Sequence, residues 1–160
     1  MSQKFEFELF ADYFQFYLQD ESVTGDLSDS WTPEAVDRLL ATAPGTIGVG
    51  TVRNMNVPVV VEVSDEDPGN GDTTDWDQVC ECSVEVPSGR IVVAGCTDYF
   101  PDAARIDVSP GWYRARIYYG DLDSVSENGL EGKDHYQLVL WKAAPEPFKV
   151  FKARTKQAKS

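Results

Sequence analysis

Phe5, Phe7 and Leu9 alternate with Lys4, Glu6 and Glu8, the two-residue period of a strand with one buried face. Between Tyr13 and Leu18 the pattern turns aromatic on both faces, as in a strand covered on both sides or lying at a partner surface. Residues 19–30 are polar and read as a loop. A helix start follows in Trp31-Thr32-Pro33-Glu34-Ala35-Val36. Thr32 can cap free N–H groups, Pro33 suits the first helical position, and Glu34 meets the positive end of the dipole. Val36, Leu39, Leu40 and Ala43 continue at i, i+3, i+4 and i+7, so the spacing predicts a helix over about 33–43, stopped by Pro44-Gly45 and packed by one stripe on a sheet.

Beyond it the chain reads as strands: Thr46–Arg53, Val57–Val63, Gln78–Val86, Arg90–Thr97, Ala104–Val108, Trp112–Tyr119, His135–Lys142 and Phe148–Phe151. Pro87-Ser88-Gly89-Arg90 and Ser109-Pro110-Gly111-Trp112 are hairpin signals, because Pro presets φ and Gly supplies positive φ. Residues 64–77 and 121–133 are the long loops. The expected fold is mainly β, an antiparallel sandwich with one helix, built as a single domain over 1–152 with a basic tail over 153–160.

Charge sharpens this picture. Fourteen Lys+Arg against 27 Asp+Glu give a formal net charge of -13. Residues 1–141 carry -18 of it, whereas 142–160 hold Lys142, Lys149, Lys152, Arg154, Lys156 and Lys159 against Glu146 alone. Such a body repels nucleic-acid phosphates and anionic membranes and attracts a basic protein partner. The tail is expected to fray or to fold back on the acidic body. No apolar stretch approaches the ~20 residues of a membrane span, and Glu6, Glu8 and Asp12 interrupt any export signal at the start. Three cysteines, an odd count, fit reduced thiols in a cytoplasmic protein.

Four constellations bear on chemistry. Loop 64–77 concentrates Asp65, Glu66, Asp67, Asp72, Asp75 and Asp77 around Trp76. It reads first as a solvated hairpin loop, next as a patch for a basic protein with Trp76 as anchor, and last as a calcium site on Asp65, Asp67, Asp72 and Asp75, although the EF-hand spacing is missing. Cys80, Cys82 and Cys96 with His135 could supply four zinc ligands. A two-residue turn at Ser88-Gly89 would set Cys82 opposite Gly95 and Cys96 opposite Glu81, pointing the thiols to different faces. They are therefore expected to be small buried hydrophobes. Gly45-Thr46-Ile47-Gly48-Val49-Gly50 enters a strand instead of a helix and lacks the Lys-Ser/Thr pair of a phosphate loop, so its small residues are read as packing space. Arg114 and Arg116 share one strand face and should pair with carboxylates there. With one histidine and no nucleophile elbow, the chain offers no enzyme site and calls for no cofactor.

Trp31, Thr32, Glu34, Ala35, Val36, Asp37 and Arg38, then Gly45 and Ile47, then Arg53-Asn54 and the strand from Pro58, resemble the ComJ/Nin family. Arg105–Arg114, a strand, Pro-Gly turn and strand, is a weaker echo. In that family, competence-associated proteins inhibit a nuclease that cuts DNA during uptake. The resemblance implies an inhibitor with no catalytic residues of its own. Since a nuclease gathers phosphates in a basic groove, a carboxylate-rich face carrying Asp65, Glu66, Asp67, Asp72, Asp75 and Asp77 could occupy it, steered by charge. The competing expectation is a C2-like, calcium-dependent binding module that uses the same loop.

Overall fold

The computed structural model describes residues 2–23, 26–69 and 73–154. Eleven strands form two sheets packed face to face. They are β1 (Ser2–Phe10), β2 (Gln15–Asp20), β3 (Leu40–Ala43), β4 (Thr46–Gly50), β5 (Asn56–Ser64), β6 (Gln78–Val86), β7 (Arg90–Gly95), β8 (Ala104–Asp107), β9 (Gly111–Gly120), β10 (His135–Lys142) and β11 (Lys149–Lys152). The first sheet runs β1-β5-β10-β9-β6-β11 and the second β3-β4-β2-β7-β8. The pairs are antiparallel except β5 with β10, which run parallel with Tyr136 opposite Val59. The mainly β sandwich with a single α-helix is thus the observed architecture.

Alternation along each strand decides what enters the core. Val57, Val59 and Val61 on β5 and Cys80, Cys82, Val84 and Val86 on β6 face inward, against Phe16, Leu18, Ile47 and Val49 from the second sheet. Phe16 meets Tyr136 edge-on at 5.8 Å, and Tyr136 meets Tyr119 the same way at 5.9 Å. Each such pair adds ~1 kcal/mol beyond its buried area.

The helix starts as expected but is short: α1 covers only Pro33–Asp37, with Thr32 Oγ1 accepting from the Ala35 N–H at 3.2 Å. Arg38 ends it, and Leu39 turns into the left-handed region at φ 57°. The second half of the expected helix, Leu40–Ala43, is β3, paired to β4 across the Pro44-Gly45 turn. A ladder with β4 buries Leu40 and Ala41 completely, whereas Val36, on the same expected stripe, stays 53% exposed. The Leu39 carbonyl, orphaned at the break, accepts from the Gly50 N–H at 2.9 Å and the Tyr119 hydroxyl at 2.6 Å. Long-range pairing therefore outweighs helical periodicity here. The helix still packs on a sheet, with Ala35 against Ala41 on the outer face of the second.

The two hairpin signals are corners between sheets. β6 belongs to the first sheet and β7 to the second, and β8 and β9 divide the same way. Gly89 does take φ +76°, but the turn is pulled to the second sheet by Asp20, which accepts from the Ser88 N–H at 3.0 Å and its hydroxyl at 2.7 Å. The two corners bind each other through the Val108 N–H and the Gly89 carbonyl, 2.9 Å apart. The expected register of Cys82 opposite Gly95 and Cys96 opposite Glu81 is accordingly overturned: Cys82 pairs with Ala115 and Gly95 with Phe16.

Candidate partner-binding face

Residues 64–77 join β5 to β6, which are separated in the sheet by β10 and β9, so the segment cannot be a hairpin loop. Its described parts, 64–69 and 73–77, form a strap on the outer face of the first sheet, met there by Arg116 and Lys152. On that face stand two arginines, Arg116 met by the strap and Arg114 by residues 146–147. Glu81 sits between them on the neighbouring strand: Arg114 Nε reaches Glu81 Oε2 at 2.9 Å and Arg116 Nε reaches Oε1 at 3.0 Å. Arg114 also donates to the Glu146 carbonyl at 2.8 Å and the Pro147 carbonyl at 3.2 Å. The arginines do pair with a carboxylate, as expected, but on a covered face. Both are at least 95% buried along with Glu81, and the complete hydrogen bonding of the triad is what makes that burial tolerable.

Arg116 also holds the strap. Its Nη1 donates to the Gly69 carbonyl, its Nη2 lies 3.8 Å from Asp67, and its guanidinium stacks over Phe151 at 4.5 Å. Further along, Lys152 Nζ donates to the Thr73 carbonyl at 3.1 Å. Trp76 lies half-buried against Tyr118 at 5.2 Å and His135 at 5.1 Å, a lid on the sheet more than a projecting anchor. Asp77 is committed to the fold, accepting the Leu122 N–H at 2.7 Å. Asp65, Glu66, Asp67 and Asp75 are the exposed carboxylates of the strap, and Asp72 lies outside the described residues. Among the described residues no three His, Cys, Asp or Glu side chains converge as a metal site.

The thiols also remain apart. Cys80 and Cys82 point into the core, while Cys96 follows β7 and lies 3.3 Å from the Tyr17 hydroxyl. Burial pushes the Cys80 thiol up to about 11 and Cys82 to about 12.

The residues carrying the family resemblance build scaffold. Trp31 lies over Gly48, where a Cβ would come within 3.0 Å of its ring and 2.6 Å of Leu27. This is the packing space expected of the Gly45–Gly50 run. Glu34 is exposed on the first turn of α1. Arg53 Nε pairs with Asp134 at 2.8 Å, and Asp134 is wholly buried. The other Asp134 oxygen accepts from the Tyr136 hydroxyl at 2.6 Å, and that hydroxyl accepts the Val52 N–H at 3.1 Å. Burial and then the Asp134 hydrogen bond raise the Tyr136 phenol well above its ordinary value. The Asn54 N–H donates to the Gly129 carbonyl at 2.8 Å. This cluster fastens the chain between β4 and β5 to the loop before β10.

One feature had no signal in the sequence. A groove of about 630 Å³ opens between α1, the β1–β2 corner and the end of β4, walled by Tyr13, Phe14, Trp31, Val36, Leu39 and Val52, with Gln15, Asp37, Thr51 and Arg154 adding polar groups. Its walls come from segments as far apart in the chain as Tyr13 and Arg154, so no local spacing could reveal it.

These features define a two-sheet sandwich with a carboxylate strap and an apolar groove, a form suited to binding. No family model matches the chain, and no curated protein matches it by sequence. Among solved structures, it shares its fold with ComJ from Bacillus subtilis, the inhibitor of the DNA-degrading activity of NucA. That match has a TM-score of 0.70 and 18% identity, covering 89% of this chain and 99% of ComJ. The product of crocagin biosynthetic gene J has the same fold, with a TM-score of 0.60 and 19% identity over 92% of this chain and 99% of that one. Among the described residues, no helix is long and apolar enough to cross a membrane.

Proposed function

We propose that this protein is a nuclease inhibitor that acts by binding, not by catalysis, and that docks the carboxylates of its strap on a basic, DNA-degrading partner. The observation that carries the reading is that Asp65, Glu66, Asp67 and Asp75 are exposed on a segment pinned to a rigid sheet by Arg116 and Lys152. Carboxylates held in place lose little conformational entropy on docking and present a field that steers a cationic groove. The ComJ fold supports the same role, since ComJ inhibits a nuclease.

The test begins with a pull-down from native lysate at low salt and a DNA-degradation assay on basic nucleases recovered, with NucA included as a candidate. Substituting Asp65, Glu66, Asp67 and Asp75 by Asn or Gln keeps Asp77 and the Arg116–Gly69 and Lys152–Thr73 hydrogen bonds that hold the strap. The quadruple variant should associate at least tenfold more slowly at low salt, with a smaller change in dissociation and a weaker salt dependence. Unchanged association would remove the strap from the interface, and the absence of any inhibited nuclease would remove the function.

A further inference from the structure

The groove beside α1 gathers strained backbone. Tyr13 and Phe14 take φ 57° and 60°, and Leu39 takes 57°. Among the described residues only four non-glycine positions lie in the left-handed region, and three of them wall this one groove. Each costs on the order of 1–3 kcal/mol and persists only where the surroundings enforce it, a pattern that gathers at ligand clamps. Large apolar side chains on its walls stand in water: Tyr13 is 68% exposed, Phe14 45% and Val36 53%. A corner that merely reversed the chain would use Gly or Asn and bury its aromatics.

The groove is already visited by a side chain of this protein. Arg154, arriving from beyond β11, lines it and donates from Nη2 to the Asp37 carbonyl at 3.0 Å. Among the described residues its Nε is buried with no acceptor. An orphaned guanidinium nitrogen loses part of its hydration without replacement, so this seat is a weak one. It nevertheless shows what the groove accommodates: an arginine side chain beside apolar walls, with a guanidinium N–H on the Asp37 backbone carbonyl.

We propose that the groove is an anchor pocket for an arginine side chain presented by a basic partner protein, and that Arg154 is an internal plug which that arginine displaces. The proposal rests on the reading above that the partner is basic, and it adds a second, apolar contact to the electrostatic strap. Three features select an arginine: Arg154 itself sits there, the chain is strongly acidic, and the Asp37 carbonyl on the wall already accepts a guanidinium N–H. The plug would reduce the pocket's apparent affinity by the fraction of time it is in place.

The experiment is a nuclear magnetic resonance titration of the full chain with N-acetyl-arginine amide, reading the indole N–H of Trp31, which lines the groove. Its resonance is assigned with Trp31→Phe. N-acetyl-citrulline amide, of nearly the same shape and neutral, serves as control. Arg154→Ala and Arg154→Gln should each bind the arginine probe at least about fivefold more tightly than the unmodified chain, as removal of a plug in place some 80% of the time requires. Citrulline should bind several-fold more weakly to all three. Equal affinity with and without Arg154 would overturn the plug. Citrulline binding as well as arginine, or an unmoved Trp31 signal in both variants, would overturn the arginine pocket. Neither result touches nuclease inhibition or its dependence on the strap, which the degradation assay reads separately.

Discussion

The Arg53–Asp134 pair offers the clearest measurement of whether the family-like residues are scaffold or contact surface. Arg53 is 13% exposed and Asp134 is wholly buried. Replacing Arg53 by Met keeps the aliphatic stem and removes the cation. Asp134 would then retain the Tyr136 hydroxyl on one oxygen and lose the guanidinium on the other. Leaving one member of a buried ion pair uncompensated costs about 3–5 kcal/mol. Arg53 lies toward one edge of the site and water can reach it, so the lower end, about 3 kcal/mol, is the working value. For a chain of this size that lowers Tm by roughly 6–12 °C. Urea unfolding should show it as a lower midpoint at an unchanged slope. Tyr136→Phe should cost no more than Arg53→Met, about 1–3 kcal/mol, because it takes one hydrogen bond from the carboxylate and leaves the Val52 N–H without its acceptor. The double variant should cost less than the sum, since both changes act on the same carboxylate. A loss below about 1 kcal/mol for Arg53→Met would refute the reasoning and leave Arg53 available as a contact residue.

Further expectations concern the corners and the thiols. Asp20 is fully buried; burial works to raise its carboxyl, but hydrogen bonds from Ser22 and Ser88 outweigh that and hold it below the usual 3.8. Its contribution is therefore present above about pH 4 and lost as pH falls through the lowered native value, so Asp20→Asn should flatten the acid limb of a stability–pH curve while costing about 1–3 kcal/mol at neutral pH. A Cβ on Gly95 would lie 2.2 Å from the Phe10 carbonyl oxygen, a backbone atom that cannot swing aside. Gly95→Ala should lower the urea midpoint far more than Gly69→Ala, where nothing lies within 4 Å. An aromatic disulfide reagent at pH 8 should modify Cys96 alone in the native protein and all three cysteines in urea, because Cys80 and Cys82 are buried with raised thiol values. Rapid modification of more than one native thiol would contradict the core placement.

What the sequence made legible was whatever is decided locally. β6 and β10 fall on the expected residues because their period-two alternation is bounded by polar or turn-forming neighbours. The start of α1 follows from Thr32 and Pro33, whose effects reach one turn. Its end did not follow, because Leu40–Ala43 answers to β4 and not to its own helical spacing. The turns at Gly89 and Gly111 were recognisable as turns, but the sheet the chain entered after Gly89 depended on Asp20, some seventy residues away. The strap was legible as acidic and not as a strap, since Arg116 fixes it from another strand. Of its carboxylates, the sequence could not separate Asp77, which holds Leu122, from Asp75, which is free to face a partner. Charge and resemblance pointed to a basic partner, whereas the groove required the folded chain.

The parallel join between β5 and β10 has a consequence for how the chain is made. Val59 has Tyr136 as its neighbour, so the middle of the first sheet stays open until β10 has left the ribosome. β2, β3 and β4 can close early, but β5 must wait with only β1 beside it and a valine-rich edge unpaired. Such delayed closure favours slow, late folding and makes the nascent chain the vulnerable stage. Shortening the chain anywhere before Lys142 would then abolish the fold as a unit, in place of trimming one strand from it.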